Sequence, residues 1–396
     1  MRSHPLLVPL LFATTVPSTA QTTWTVNSAG GAQFTAIQPA ITAAAPGDRI
    51  EVQGAGPYGA FVVDRGVEVE ALVGALCGTI EVVGVPAGQA VRVSGLVVHH
   101  QVQGRVSVRN CGGNVLLAGI ASSGTASVPG GAQPGLEVLD SPSVLVDHGD
   151  FHGQTDPISG APGALITNSQ VAFVSGSLYG GALASASPAA GDTGRAGASI
   201  VNSHVTMTGA TVRGGQGTSG TSVGGNGGDA IHVLSGVAIV SGFSQLRGGF
   251  GGIGPTAGQQ GFAARGNVRL TSETFLIGST TGTTTLPQRP VIHTNGGVMI
   301  GSTLTWDVAG SPGQLLVLAL DLDWRYTPLP PFDGALILTA NAVLAAAMVL
   351  DAQGNGSHSL PIPNVPALRH LDLFAQGLAF VGPALVLTGG TATHTL

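Results

Sequence analysis

The residues best suited to chemistry in this chain lie in one short run, Asp147-His148-Gly149-Asp150-Phe151-His152. Carboxylates beside imidazoles can bind a metal ion or pass protons in acid–base catalysis. Side chains alternate between faces in an extended run, so His148, Asp150 and His152 are expected to share one face. Asp147, His148, Asp150 and His152 are thus the candidate catalytic residues. The competing expectation is an exposed strand face and corner, where polar side chains are ordinary. A second candidate is a column of residues distant in sequence. His152, Tyr179, Arg213 and Arg247 each stand directly before a glycine. If their segments stack, rings and guanidinium groups form an exposed ridge, able to hold a polysaccharide by stacking and charge-assisted hydrogen bonds. A third candidate is Asp229. It sits in GGNGGDAIH (Gly224–His232), which fits the calcium-binding pattern GGxGxDxUx with Ile231 as the buried residue. Calcium wants six or more oxygens from adjacent turns. Only one copy is present, so no cofactor is expected.

Two further motif matches carry no mechanism. GQGTSG (Gly215–Gly220) and GTSVG (Gly220–Gly224) resemble a dinucleotide fingerprint and a nucleophile elbow. Neither has the strand-then-helix context that such motifs need. Cys77 and Cys111 are the two cysteines. In an exported protein an even pair reads as a disulfide; the alternative is two buried thiols in neighbouring coils.

The elements that must position these residues are announced by a repeat. Five units run from Gly135 to Gly278, each an apolar run, a small polar turn such as Asp-Ser or Asn-Ser, and a second alternating run. Aligned on Val144, Val171, Val205, Val237 and Val268, they recur about every 27–34 residues, a period that means stacked units. The next position on the same face is Val146, Phe173, Met207, Ile239 and Leu270. Apolar residues two apart indicate strands with one buried face. Strands joined by tight turns and stacked at this period predict a parallel β-helix, each coil one layer about 4.8 Å thick. The segments 182–196, 217–228 and 249–261 are rich in Gly, Ala, Ser and Thr. They read as loops extruded at one corner, because such composition buries little apolar surface.

The rest of the 396-residue chain frames this stack. Charged residues are 9%, the net charge is −6, and all 14 basic residues are arginine. This balance, without a basic cluster, excludes nucleic acid and anionic membrane as expected partners. Residues 1–20 (MRSHPLLVPLLFATTVPSTA) have the charged start, short apolar core and small-residue end of a secretory signal. The expected location is therefore secreted or at the cell surface, with no membrane span. Phe34, Ile37, Ala40 and Ile41 fall on one helical face, predicting a short helix that caps the first coil. TTGTTTLPQRP at 280–290 interrupts the repeat, so 280–297 is expected to be a linker. The domains are then a β-helix over 21–279 and, from alternating strands such as Leu304-Trp306-Val308 and Leu316-Leu318-Leu320, a β-sandwich over 298–396.

FTAIQPAITAAAPGDRIEVQGAGPYGAFVV, within residues 33–63, resembles the opening of right-handed parallel β-helix proteins of the pectin-lyase-like superfamily. LPIPNVPALRHLDLFAQGLAF followed by LVLTGG near the C-terminus resembles a module of secreted proteins from planctomycete-type bacteria. The first resemblance implies an all-β fold shared by lyases, hydrolases, esterases, adhesins and inert proteins; the second implies no chemistry. The catalytic motifs of pectin esterases, GFxAxD and DFIFG, are absent. The Arg-x-Lys of polygalacturonases is impossible without lysine. The expectation is an exported, non-catalytic platform, structural or binding polysaccharide or cell-surface material. The alternative is a lyase or glycoside hydrolase acting on acidic polysaccharide near Asp147–His152.

Overall fold

The computed structural model describes residues 21–98, 104–122, 132–155, 160–182, 191–294, 298–329, 334–369, 371–381 and 384–395. Residues 1–20, where a signal is expected, lie outside them. The chain builds an all-β structure, a parallel β-helix followed by a β-sandwich. A typical coil has three strands, Leu136–Leu139, Val144–Asp147 and Asp150–His152, which pair in parallel with Ala164–Thr167, Gln170–Val174 and Ser177–Tyr179 of the next. The first turn of each coil explains the Asx-Ser signature. Asn110, Asp140, Asn168 and Asn202 all have φ near +50°, a left-handed conformation that Asn and Asp tolerate best. Their side chains form a ladder, Asn202 to Asn168 and Asn168 to Asp140, both at 2.9 Å. The serines behind them are buried, and Ser169 Oγ and Ser203 Oγ accept the backbone N–H one coil back, at 3.1 and 3.0 Å.

The helix Ile37–Ala43 buries Ile37, Ala40 and Ile41 over the end of the stack, as their spacing requires. Asp48, in the turn that stops it, accepts from the backbone of Thr22 and Ala45 and from Trp24 Nε1. Burial pushes this carboxyl up, and the donors outweigh it and hold it low.

Two expectations about register and boundary are corrected. Val205 pairs with Ala238 and Met207 with Val240, so in the fourth coil Val237 and Ile239 face outward. A slip of one residue exchanges the faces. Thr280–Leu286 is the last strand of the parallel sheet, bound to Ala264–Thr271, and Val291–Thr294 already pairs within the sandwich. The expected linker 280–297 is thus mostly strand. Threonine suits strands, although its run here looks like a spacer.

In the described glycine-rich segments, 191–196, 217–228 and 249–261, backbone hydrogen bonds order the chain. Gly214, Gly217 and Gly220 donate to the carbonyls of Arg247, Phe250 and Ile253 one coil on. Gly191, Gly194 and Gly197 do the same to Val223, Asn226 and Asp229. Outgoing and returning legs form two layers, joined by bonds such as Gly228 N to Gly215 O and Gly249 N to Gly228 O, both 2.8 Å. A bond at every third residue, between chains and never within one, is the habit of a polyproline-II-type extended strand. The layers approach so closely that a Cβ on Gly228 would collide with the carbonyl of Arg195, and one on Gly249 with that of Gly215. Gln216, Asn226, Phe250 and Ile253 occupy outward positions and are exposed.

The sandwich stacks a three-stranded sheet (Val291–Thr294, Thr303–Ala309, Asn355–Pro361) on a five-stranded one around Trp306, Leu316 and Leu318. It is not an independent appendage. Trp324, Tyr326, Ile337, Leu338 and Phe374 cover Leu116, Leu145, Ala172 and Val174 on the outer face of the stack, forming one shared core. Polar contacts fix the docking: Asn114 Nδ2 to Trp324 O at 2.6 Å, and Tyr326 N to Ser143 Oγ at 3.1 Å. Burial and nearby Arg269 push the His204 imidazole down, and its Nδ1 shares a hydrogen bond with the Tyr326 hydroxyl, 2.6 Å away.

Candidate functional site

The third strand of each coil places the ridge. In Asp150–His152, Ser177–Tyr179, Thr211–Arg213 and Gln245–Arg247 the central residue is buried, and its neighbours face outward. Register then puts His152 beside Tyr179, Tyr179 beside Arg213, and Arg213 beside Arg247. The His152 and Tyr179 rings stack with centroids 4.4 Å apart and 27° between planes. The Arg213 guanidinium lies 5.7 Å from the centre of the Tyr179 ring. Arg247 lies 4.3 Å from that of Phe250, which carries the ridge onto the glycine layers. Phe250 has no counterpart in the sequence alignment of the repeats. Its signal is the period of three in GGFGGIG (Gly248–Gly254), which sends each third side chain outward.

The polar run at the corner separates into two pairs. His148 has φ of +51°, so the alternation breaks there and its ring turns back to Asp147, with Nδ1 2.7 Å from Oδ1. That hydrogen bond raises the His148 pKa against the opposing effect of burial. His152 Nε2 lies 3.3 Å from Asp150 Oδ1 in the next strand. The expected common face for His148, Asp150 and His152 is therefore replaced by two Asp–His pairs, Asp147–His148 before the corner and Asp150–His152 after it. Among the described residues, no group of three or more His, Cys, Asp or Glu is arranged to hold a metal.

Asp229 spends its carboxylate within the chain. Oδ1 accepts the Phe262 N–H at 2.9 Å, and Oδ2 is 3.3 Å from Arg265 Nε and 3.8 Å from His232 Nδ1. Cys77 and Cys111 are free and buried thiols, which corrects the disulfide, and they stand two coils apart rather than in neighbouring ones. Cys77 closes a strand with its Sγ against Val97 O, whereas Cys111 Sγ meets Val82 O and Arg109 O. Each thiol thus has its own neighbours. Burial pushes the Cys77 thiol up to about 12 and raises Cys111, so neither is a reactive thiolate.

No family model and no curated protein matches this chain. Among solved structures, a superoxide reductase (neelaredoxin) from Ignicoccus hospitalis is 14% identical over 27% of this chain and 80% of its own, with a TM-score of 0.18. A Salmonella alpha-2-macroglobulin reacted with methylamine is 16% identical over 27% of this chain and 9% of its own, with a TM-score of 0.20. Likeness this slight carries no argument about fold or function.

Proposed function

We propose that the chain is an exported, non-catalytic platform of the pectin-lyase-like kind, whose ridge binds polysaccharide at a cell surface or outside the cell. The observation that supports this is the in-register alignment of His152, Tyr179, Arg213 and Arg247 on four successive coils, with the first three side chains in contact. Ring faces suit the apolar faces of sugars, and guanidinium forks suit their acidic substituents. The repeat of one coil, about 4.8 Å, gives a linear ligand successive contacts along the axis. The alternative, a lyase or hydrolase, needs acid, base and charge-stabilising groups converging on one scissile unit. Its candidates remain the Asp147–His148 and Asp150–His152 pairs.

One set of measurements tests both. Binding is measured on a glycan array and by calorimetry, and turnover by reducing-sugar and unsaturated-product release on acidic polysaccharides. Polysaccharide should bind with no turnover, and the Tyr179→Ala/Arg213→Ala double variant should weaken binding about tenfold or more, as loss of a stacking ring and a charged hydrogen bond implies. Unchanged binding in that variant removes the ridge. Turnover that vanishes in Asp150→Ala or His152→Ala installs the enzyme in its place.

A further inference from the structure

On another outer face, Ser199, His232 and Arg265 stand in register on three successive coils. The returning glycine legs bring Arg195, Asn226 and Asp229 beside them, and together these residues line a groove of about 400 Å³. Small-molecule sites occupy roughly 300–1,000 Å³, so the groove can hold a small ligand. Its principal cation is held from two sides. Asp229 Oδ2 takes Arg265 Nε at 3.3 Å, and the Phe262 ring centre lies 4.5 Å from the guanidinium carbon. The remaining fork of Arg265 has no ion-pair partner among the described residues, and neither has Arg195. Arg195 and Arg265 against Asp229 give the lining one net positive charge from its permanently or ordinarily charged groups.

We propose that this groove binds a sulfated sugar, with the sulfate ester between Arg195 and Arg265. The single positive charge matches a monoanion. A phosphate ester, at about −1.5 to −2, would meet repulsion from Asp229. One guanidinium fork satisfies both oxygens of a carboxylate, whereas two forks from different elements call for the third terminal oxygen of a sulfate. Ser199, Thr193 and Asn226 offer hydroxyl and amide partners to the ring. Asp229 is a positioning residue, aiming Arg265 without touching the ligand. The inference rests on the carbohydrate-binding reading for its ligand class and shares no residue with the ridge.

Calorimetry of the secreted protein with glucose 6-sulfate, glucuronate, glucose and inorganic sulfate tests it. Glucose 6-sulfate should bind most tightly. Arg195→Gln and Arg265→Gln should each weaken it about tenfold or more, from the loss of a charged hydrogen bond. Asp229→Asn should also weaken it, although it makes the groove more positive; a purely electrostatic role would strengthen it. The Tyr179→Ala/Arg213→Ala ridge variant should bind it unchanged, whether or not the ridge binds polysaccharide. Thermal melts check the folding of each variant, with Arg265→Lys as a milder one that keeps the charge and loses the fork. No binding of glucose 6-sulfate, or undiminished binding in both folded arginine variants, overturns the proposal. Glucuronate binding as tightly overturns the sulfate assignment, and inorganic sulfate binding as tightly overturns the sugar.

Discussion

Val240 and Ile239 are adjacent in one strand and meet different surroundings. Val240 lies in the interior column between Met207 and Leu270, whereas Ile239 faces out and is buried against the sandwich. Val237 also faces out and is half-buried. Val240→Ser should therefore cost about 2–4 kcal/mol, from lost packing and an unpaired buried hydroxyl. Val237→Ser should stay within about 0.5 kcal/mol. Denaturant unfolding of the two variants decides between the registers, since equal costs would contradict this one. The alternation in this strand is ambiguous by sequence because Val237-Ala238-Ile239-Val240 is apolar on both faces. Where the outward residues are polar, as in Gln170 and His204, the inward column Val171 and Val205 was legible and correctly placed. At the ridge, stacking was legible from the spacing of His152, Tyr179, Arg213 and Arg247. The turn at His148 was not, because a left-handed residue in a polar run leaves no mark on alternation.

The glycine layers show what composition hides at the level of an element. Glycine and small residues signal a loop when the only stabilisation considered is apolar burial. Here backbone hydrogen bonds and close contact replace it, and GGNGGD and GGFGGIG repeat with a period of three, unlike strand or helix. Amides of Gly225, Gly228, Gly249 and Gly252 should therefore exchange slowly with deuterium, at rates like those of the strand Gly236–Ser241 and far below those of an open loop. Fast exchange across 224–228 and 248–252 would contradict the ordered layers. Gly249→Ala should destabilise by about 1–3 kcal/mol through forced separation of the layers, while Gln216→Ala, at an exposed outward position, should be near neutral. The outward Leu116 and Leu145 carried a signal of the same kind. A large apolar residue on the solvent side of a coil announces that another element covers it, and in this chain that element is the sandwich.

At the scale of the molecule, a second contact between stack and sandwich is ionic, and it sets a pH dependence. His394 of the last sandwich strand has Nδ1 3.0 Å from Asp372 Oδ1 and Nε2 3.3 Å from Glu70 Oε1 of the stack. Arg92 of the stack lies 3.1 Å from Glu68 and 3.0 Å from Asp372, and Arg49 pairs with Glu70. Burial lowers the His394 pKa and Arg92 opposes its charge, but the two carboxylates outweigh both and raise it. A raised histidine contributes fully below its unfolded pKa of about 6.5, and that contribution is lost as pH rises through the folded value. Burial pulls Glu70 upward, while His394 and Arg49 hold it at about 2. Its contribution is complete above about 4.5 and is lost as pH falls toward that value. Glu68 is raised by burial, so it too favours the folded state more at low pH, beginning from the carboxylate range. Thermal stability should therefore peak between about pH 5 and the raised His394 pKa and decline on both sides. His394→Gln should cost about 1.5–3 kcal/mol near pH 5.5, by loss of charged hydrogen bonds, and should flatten the alkaline limb. Glu68→Gln should leave that limb in place while altering the acid side. Melting temperatures of the three proteins from pH 4 to 9 measure this; an alkaline limb unchanged in His394→Gln would show that another group holds the sandwich to the stack as pH rises.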